Sequence, residues 1–215
     1  MALITANSAP VLSGAISFPR VGAWTADLVV GSQETPDSLQ YIDDGNGTII
    51  TGTVVEGGVY QSRTHIRVVG GLAGLRDLVQ ARHYRFAPVG QILAELCNDA
   101  REVPSPLADP AVHSQVLDYW SRPEGTAGHA LGALADSIDA YWRVLQDGMV
   151  WIGEPSFVFT TLKEQTVLDA DPMRSEYIIA PDGLELTVGM EQSAGVLSRI
   201  EYTIGDTLRA TYWVD

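Results

Sequence analysis

The apolar residues of this chain fall in short runs that alternate with polar ones at a spacing of two and are cut by glycine-containing turns, a pattern that commits most of the chain to antiparallel sheet. Ile49, Thr51, Thr53 and Val55 alternate with Ile50, Gly52, Val54 and Glu56; the Gly57-Gly58 pair then predicts a turn before Val59 and a strand over 65–69. Residues 16–30 are β-favouring but broken by Pro19 and Gly22, which predicts a bent or edge strand. Residues 184–188, 196–204 and 207–214 predict three further strands. Ile200, Tyr202 and Ile204 share one face, as do Leu208, Ala210, Tyr212 and Val214, so the last two strands should each bury one side and pair with each other.

Two stretches depart from this period. Val89, Ile92, Leu93, Leu96, Cys97 and Ala100 recur at helical spacing within residues 87–100, with Pro88 suited to the first turn. Ala127, Ala130, Leu131, Leu134, Ala135 and Ile138 repeat the pattern, with Thr126 as N-cap. Between them, three prolines in residues 103–110 predict an extended, exposed linker with some mobility. Residues 141–145 and 149–152 flank Asp147-Gly148, a dipeptide that tolerates positive φ in a tight hairpin. The expected fold is mainly β with two short helices, an α+β chain.

Charge narrows the function. Thirteen Lys and Arg against 27 Asp and Glu leave a net charge of -14, which repels phosphate and excludes stable or sequence-specific nucleic-acid binding. An acidic passage would still let a polyanion slide by without holding it. Lys163 is the single lysine, so positive charge rests on arginines, whose planar guanidinium suits fixed ion pairs and interfaces. The lone Cys97 excludes an internal disulfide and is expected as a buried thiol in a reducing compartment. Residues 1–10 hold no basic cluster followed by an apolar run, so neither a leader nor stable membrane insertion is expected, and the chain is placed in the cytoplasm.

No residue constellation suits catalysis, a metal or a cofactor. His65, His83, His113 and His129 lack ligand spacing, and neither Ser13 nor Ser193 sits in a Gly-x-Ser-x-Gly elbow. Gly70-Gly71-Leu72-Ala73-Gly74 lacks the lysine of a phosphate loop and reads as a flexible corner. The acids Asp43-Asp44, Asp169 and Asp171 read as solvated turns. Trp24, Trp120, Trp142, Trp151 and Trp213 are expected in packing; an exposed set would instead make a sugar-binding β module for host-surface glycans, the alternative function.

Several strings, in order along the chain, resemble the tail-hub or baseplate-hub proteins of tailed bacteriophages, the group of late control protein D and of the hub part of type VI secretion spikes. They are Ser17-Phe18-Pro19-Arg20-Val21-Gly22-Ala23-Trp24-Thr25-Ala26, Arg67-Val68-Val69-Gly70-Gly71-Leu72-Ala73-Gly74-Leu75, Tyr84 leading into the Pro88 helix, Leu117-Asp118-Tyr119-Trp120-Ser121-Arg122, Trp142-Arg143-Val144-Leu145-Gln146-Asp147-Gly148-Met149-Val150-Trp151-Ile152-Gly153, and Leu208-Arg209-Ala210-Thr211-Tyr212-Trp213. The resemblance implies a non-enzymatic virion protein of a contractile tail, assembled in the host cytoplasm. It further implies a homotrimer in which each subunit supplies two intertwined tube-type antiparallel β-barrels, residues 1–86 with 184–215 forming one and residues 87–183 the other. Implied partners are copies of itself, the tail tube protein and the central spike protein, with tape measure and wedge proteins beyond them. Within these strings the structural-motif or interface candidates are Pro19, Arg20, Trp24, Gly70, Gly71, Trp120, Arg122, Trp142, Arg143, Asp147, Gly148, Trp151, Arg209 and Trp213.

Overall fold

The computed structural model describes residues 4–34, 38–154, 158–159, 166–192 and 195–215; Lys163 and Ser193 lie outside them. In chain order the elements are β1 (Thr5–Ala6), β2 (Ala9–Pro19), β3 (Thr25–Val30), β4 (Leu39–Asp43), β5 (Ile49–Tyr60), β6 (Arg63–Gly70), β7 (Leu78–Val79), β8 (Arg82–Pro88), α1 (Val89–Ala100), α2 (Pro110–Ser114), β9 (Val116–Arg122), β10 (Gly125–Thr126), α3 (Ala127–Ser137), β11 (Tyr141–Val144), β12 (Val150–Gly153), β13 (Val158–Phe159), β14 (Thr166–Asp171), β15 (Glu176–Ala180), β16 (Met190–Gln192), β17 (Gly195–Ile204) and β18 (Arg209–Val214). They form two compact units. Unit 1 holds Met1–Arg20, Trp24–Val69 and Phe157–Asp215, and unit 2 holds Val21–Ala23 and Gly70–Ser156.

Unit 1 is built on a closed six-stranded barrel in the order β1-β4-β5-β6-β3-β2, with β1 pairing back onto β2. Closure depends on β2, whose one edge is shared: Ala9 and Pro10 pair with β1, whereas residues 14–19 pair with β17. The barrel is therefore sealed and extended by the same strand. From β17 the sheet continues through β18 and β15 to β14. Ile16, Ile42, Ile50 and Val68, with Trp24 just before β3, have 0 % exposure, so the barrel interior is packed side chain rather than a pore.

Some expectations are corrected here. Residues 16–30 form two strands, and β2 lies between β3 and β17 rather than at an edge, because Pro19 falls on its last residue. Gly57 and Gly58 continue β5; the chain reverses at Gln61 and Ser62, both at positive φ (48° and 61°), the geometry of a two-residue hairpin turn. Residues 184–188 are not a strand, although Leu184, Leu186 and Val188 point inward as the alternation required. The final pair forms as read, with Ile200 opposite Tyr212 and Tyr202 opposite Ala210.

Asp44 is not a solvated turn residue: at 1 % exposure it accepts N–H bonds from Asn46 and Thr48 on one oxygen and from Leu184 on the other, tying the β4–β5 turn to the segment before β16. Burial alone would raise its pKa, but these donors together outweigh it and hold the carboxyl below its ordinary 3.8. A depressed folded pKa gives stability that is present above the unfolded value and lost as pH falls through the folded one. Asp44→Ala should cost about 2–4 kcal/mol at neutral pH by leaving buried donors unpaired. Asp44→Asn should flatten the acid limb of the stability curve below about pH 4, measured by urea unfolding across pH. Equal acid limbs in wild type and variant would refute the assignment.

Unit 2 carries α1, α2 and α3 with three two-stranded ladders, β7 with β10, β8 with β9 and β11 with β12. Val89, Ile92, Leu93, Leu96, Leu131 and Leu134 are fully buried along α1 and α3, on the faces their spacing predicted. Thr126 caps α3 by accepting from the His129 N–H. Among the described residues there are three α-helices rather than two, because the proline-rich linker contains α2, with Pro110 in its first turn and Asp109 accepting from the Ala111 N–H. Nor is that linker free of ladder bonds: Ser105 N donates to Val150 O (2.7 Å), Val150 N to Val103 O (2.8 Å), and the Trp151 indole to Leu107 O. Its prolines alternate with residues whose backbone groups face β12, so only the unneeded donors are missing.

Candidate assembly surfaces

Tryptophan placement decides between a sugar shelf and packing. Trp24, Trp120, Trp142 and Trp151 are 0 %, 8 %, 9 % and 7 % exposed, so their faces are spent inside the fold. Trp213 is partly open, but the Arg199 guanidinium lies 4.8 Å from its ring centroid and occupies one face. No stacking platform for a pyranose remains among them.

The other positions singled out in the sequence divide by burial. Pro19 ends β2 opposite Arg199, and Arg20 pairs with Asp215. Arg122, 2 % exposed, donates to Gln80 O and meets Asp99 at 2.7 Å, binding β9 to α1. Arg143 lies over Trp151 at 4.8 Å across the β11–β12 hairpin, whose turn is set by Gly148 at φ 82° and by the Asp147 carboxylate accepting from Met149 N. Arg209 is exposed. The candidates thus do not converge on one site; the buried ones build the two units, and Arg209, Trp213 and Asp147 present surface.

The glycine corner over 70–74 proves to be an anion cradle whose anion is internal. Glu102, 5 % exposed, accepts from Leu72 N on one oxygen (2.9 Å) and from Gly74 N on the other (2.7 Å). Burial is the largest influence and raises its pKa in spite of those donors. Successive N–H groups that would suit a phosphate are therefore already occupied. Cys97, packed in α1 at 1 % exposure, has its thiol pushed up to about 12 by burial, which keeps it protonated and unreactive. Among the described residues no three His, Cys, Asp or Glu side chains converge as a metal site, and no helix is long and apolar enough to cross a membrane.

Sequence reasoning passed over the exposed apolar residues. In unit 1, Val59 and Tyr60 at the end of β5 are 50 % and 64 % exposed; in unit 2, Phe86 and Tyr119 on the β8–β9 ribbon are 74 % and 58 % exposed. Alternation marks the inward side of a strand but does not tell whether the outward side meets water or another chain.

No family model matches the chain, and no curated protein matches it in sequence. Solved structures do. The 43 kDa tail protein of prophage MuSo2 from Shewanella oneidensis superposes with a TM-score of 0.73 at 13% identity, over 98% of this chain and 96% of that one. The fold is shared with phage tail proteins. A tail protein from Neisseria meningitidis MC58 matches at TM-score 0.64 and 11% identity, over 98% and 95% of the two chains. The Escherichia coli c3393 protein, a type VI secretion component described as similar to the T4 tail proteins gp27 and gp5, matches at 0.66 and 8%, over 97% of this chain and 75% of that one. The tail-hub resemblance carried by the short strings and this phage-tail fold point the same way, although identity is too low for any residue role to pass between chains.

Proposed function

We propose that the chain is a structural, non-enzymatic component of a phage tail, a hub protein whose copies form a ring joining the tail tube to the central spike and lining the passage for DNA. The observation that carries this reading is the phage-tail fold over nearly the whole of both chains. Three physical features favour it. The six-stranded barrel is filled, so any passage must run between copies rather than through one. A net charge of -14 suits a wall that DNA passes without binding. Buried tryptophans stiffen both units, Trp24 in unit 1 and Trp120, Trp142 and Trp151 in unit 2, where Arg122 is buried with them, as a part that transmits load requires.

On this reading the ring is a homotrimer in a contractile-tail baseplate, unit 2 takes the place of the second barrel of each subunit, and tape measure and wedge proteins are further neighbours. The sugar-binding alternative is not favoured, because four of the tryptophans are buried and Arg199 covers one face of the fifth, Trp213. Mass measurement of the purified protein should return three copies, and imaging of intact particles should locate the chain between tube and spike. A chain that stays monomeric and captures neither tail tube nor spike protein overturns the proposal.

A further inference from the structure

The β8–β9 ribbon carries an aromatic side chain in an unfavourable place. Phe86 sits at φ 49°, a conformation that bulky residues avoid, and is 74 % exposed. The ladder pairs Arg85 with Tyr119 and Ala87 with Leu117 and skips Phe86 between them. Neither backbone comfort nor burial within the chain accounts for a phenylalanine there. Beside it Arg85 is exposed, with no acidic side chain in ion-pair range among the described residues, and Tyr119 extends the apolar surface.

Unit 1 offers a matching concavity. An open groove of about 590 Å³ lies along the outer end of β5, bounded by Glu56, Gly58, Val59, Tyr60 and His65 and by Arg67, whose charge is paired with Asp27 at 3.5 Å. Its strand segment lacks side chains at Gly57 and Gly58, and a Cβ placed at Gly58 would meet open space. Tyr60 stands edge-on to His65, 6.1 Å between ring centroids, as an aromatic wall. Glu56 is exposed and has no cationic partner among the described residues. Unit 2 thus presents an apolar knob beside an unpaired cation, and unit 1 presents an aromatic-walled groove beside an unpaired anion.

We propose that the Phe86 knob of one copy seats in the Gly57-Gly58 groove of a second copy, with Arg85 of the first meeting Glu56 of the second. Copies bearing a net charge of -14 repel one another, so a cation at the contact favours self-association, and Arg85 supplies it. Knob and groove are different surfaces, so the contact is head-to-tail and closes into a ring when its rotation closes. This inference rests on the ring reading above and names the surfaces that build it.

The test is the concentration dependence of assembly mass for the wild type, Arg85→Glu, Phe86→Gly and the charge exchange Arg85→Glu with Glu56→Arg. Arg85→Glu should raise the concentration for half-assembly roughly tenfold or more, and the exchange should recover most of that loss. Phe86→Gly should abolish assembly while leaving monomer melting unchanged or higher, since glycine accepts this φ; a purely structural Phe86 would instead lower it. A wild type that remains monomeric overturns the ring reading and this contact with it. A wild type that assembles, with Arg85→Glu and Phe86→Gly assembling equally well, overturns the contact alone, as does an exchange that restores nothing.

Discussion

Gly74→Ala should destabilise unit 2 by about 3 kcal/mol or more, because the new methyl has no place to go. A Cβ at this position would lie 1.6 Å from the Ala100 carbonyl oxygen and 2.8 Å from its carbon, both backbone atoms at the last turn of α1. No side-chain rotation relieves such an overlap; either the loop or the helix end must move. Moving the loop withdraws the Gly74 N–H from Glu102, which then holds a buried carboxylate with fewer donors. The two costs add to a drop of about 6–12 °C in melting temperature for a chain of this size, read by circular dichroism. Hydrogen exchange should localise the damage, with the Leu72 amide losing protection along with residue 74. A variant melting within about 2 °C of wild type would show that the loop does not close on α1 as described.

Legibility in the sequence followed the range of each interaction. The α1 and α3 faces, the Thr126 cap, the Asp147-Gly148 hairpin and the β17–β18 pairing were readable, since each rests on residues close in the chain or on a strict period. Closure of the barrel was not. It depends on β1, two residues long, pairing with both β2 and β4, and on β2 dividing one edge between β1 and β17, whose paired residues lie far apart in sequence. The Gly57-Gly58 turn failed because glycine marks both reversals and flat, open strand; Gln61 and Ser62, which do reverse the chain, carry no such mark. Asp44 and Glu102 were misread or passed over for one shared reason: beyond the local Asn46 and Thr48 donors to Asp44, their backbone donors come from Leu184 and from residues 72 and 74, contacts that no local pattern announces. The tail-hub resemblance, carried by strings spread along the chain, agrees with the phage-tail fold found by superposition; of the two barrels it implied, one closed six-stranded barrel is seen among the described residues. What it could not supply was the assembly surface, because outward-facing residues obey no internal packing rule.

Trp24→Ala should be the most damaging single change in unit 1, costing about 3–5 kcal/mol. The indole is wholly buried and tilted against Phe18 at 5.8 Å between centroids, and Phe18 in turn stands edge-on to Tyr202 at 6.2 Å. This aromatic chain joins the barrel to the strand that extends it, because Phe18 lies on β2 and Tyr202 on β17. Its far end is fixed by the Tyr202 hydroxyl, which accepts from Leu186 N at 2.8 Å. Collapse into the cavity is resisted by the surrounding ladder, so most of the lost packing stays lost. Gly52 reports on the same geometry: a Cβ there would come 2.6 Å from the Trp24 ring edge and 2.6 Å from Val69 O. Gly52→Ala should therefore cost less in the Trp24→Ala background than in wild type, a coupling measurable by a double-mutant cycle in urea. Trp213→Ala is the control, since that ring is partly open and gains mainly from Arg199 above it, worth about 1 kcal/mol or less. Similar losses at Trp24 and Trp213 would mean that the barrel core does not carry unit 1.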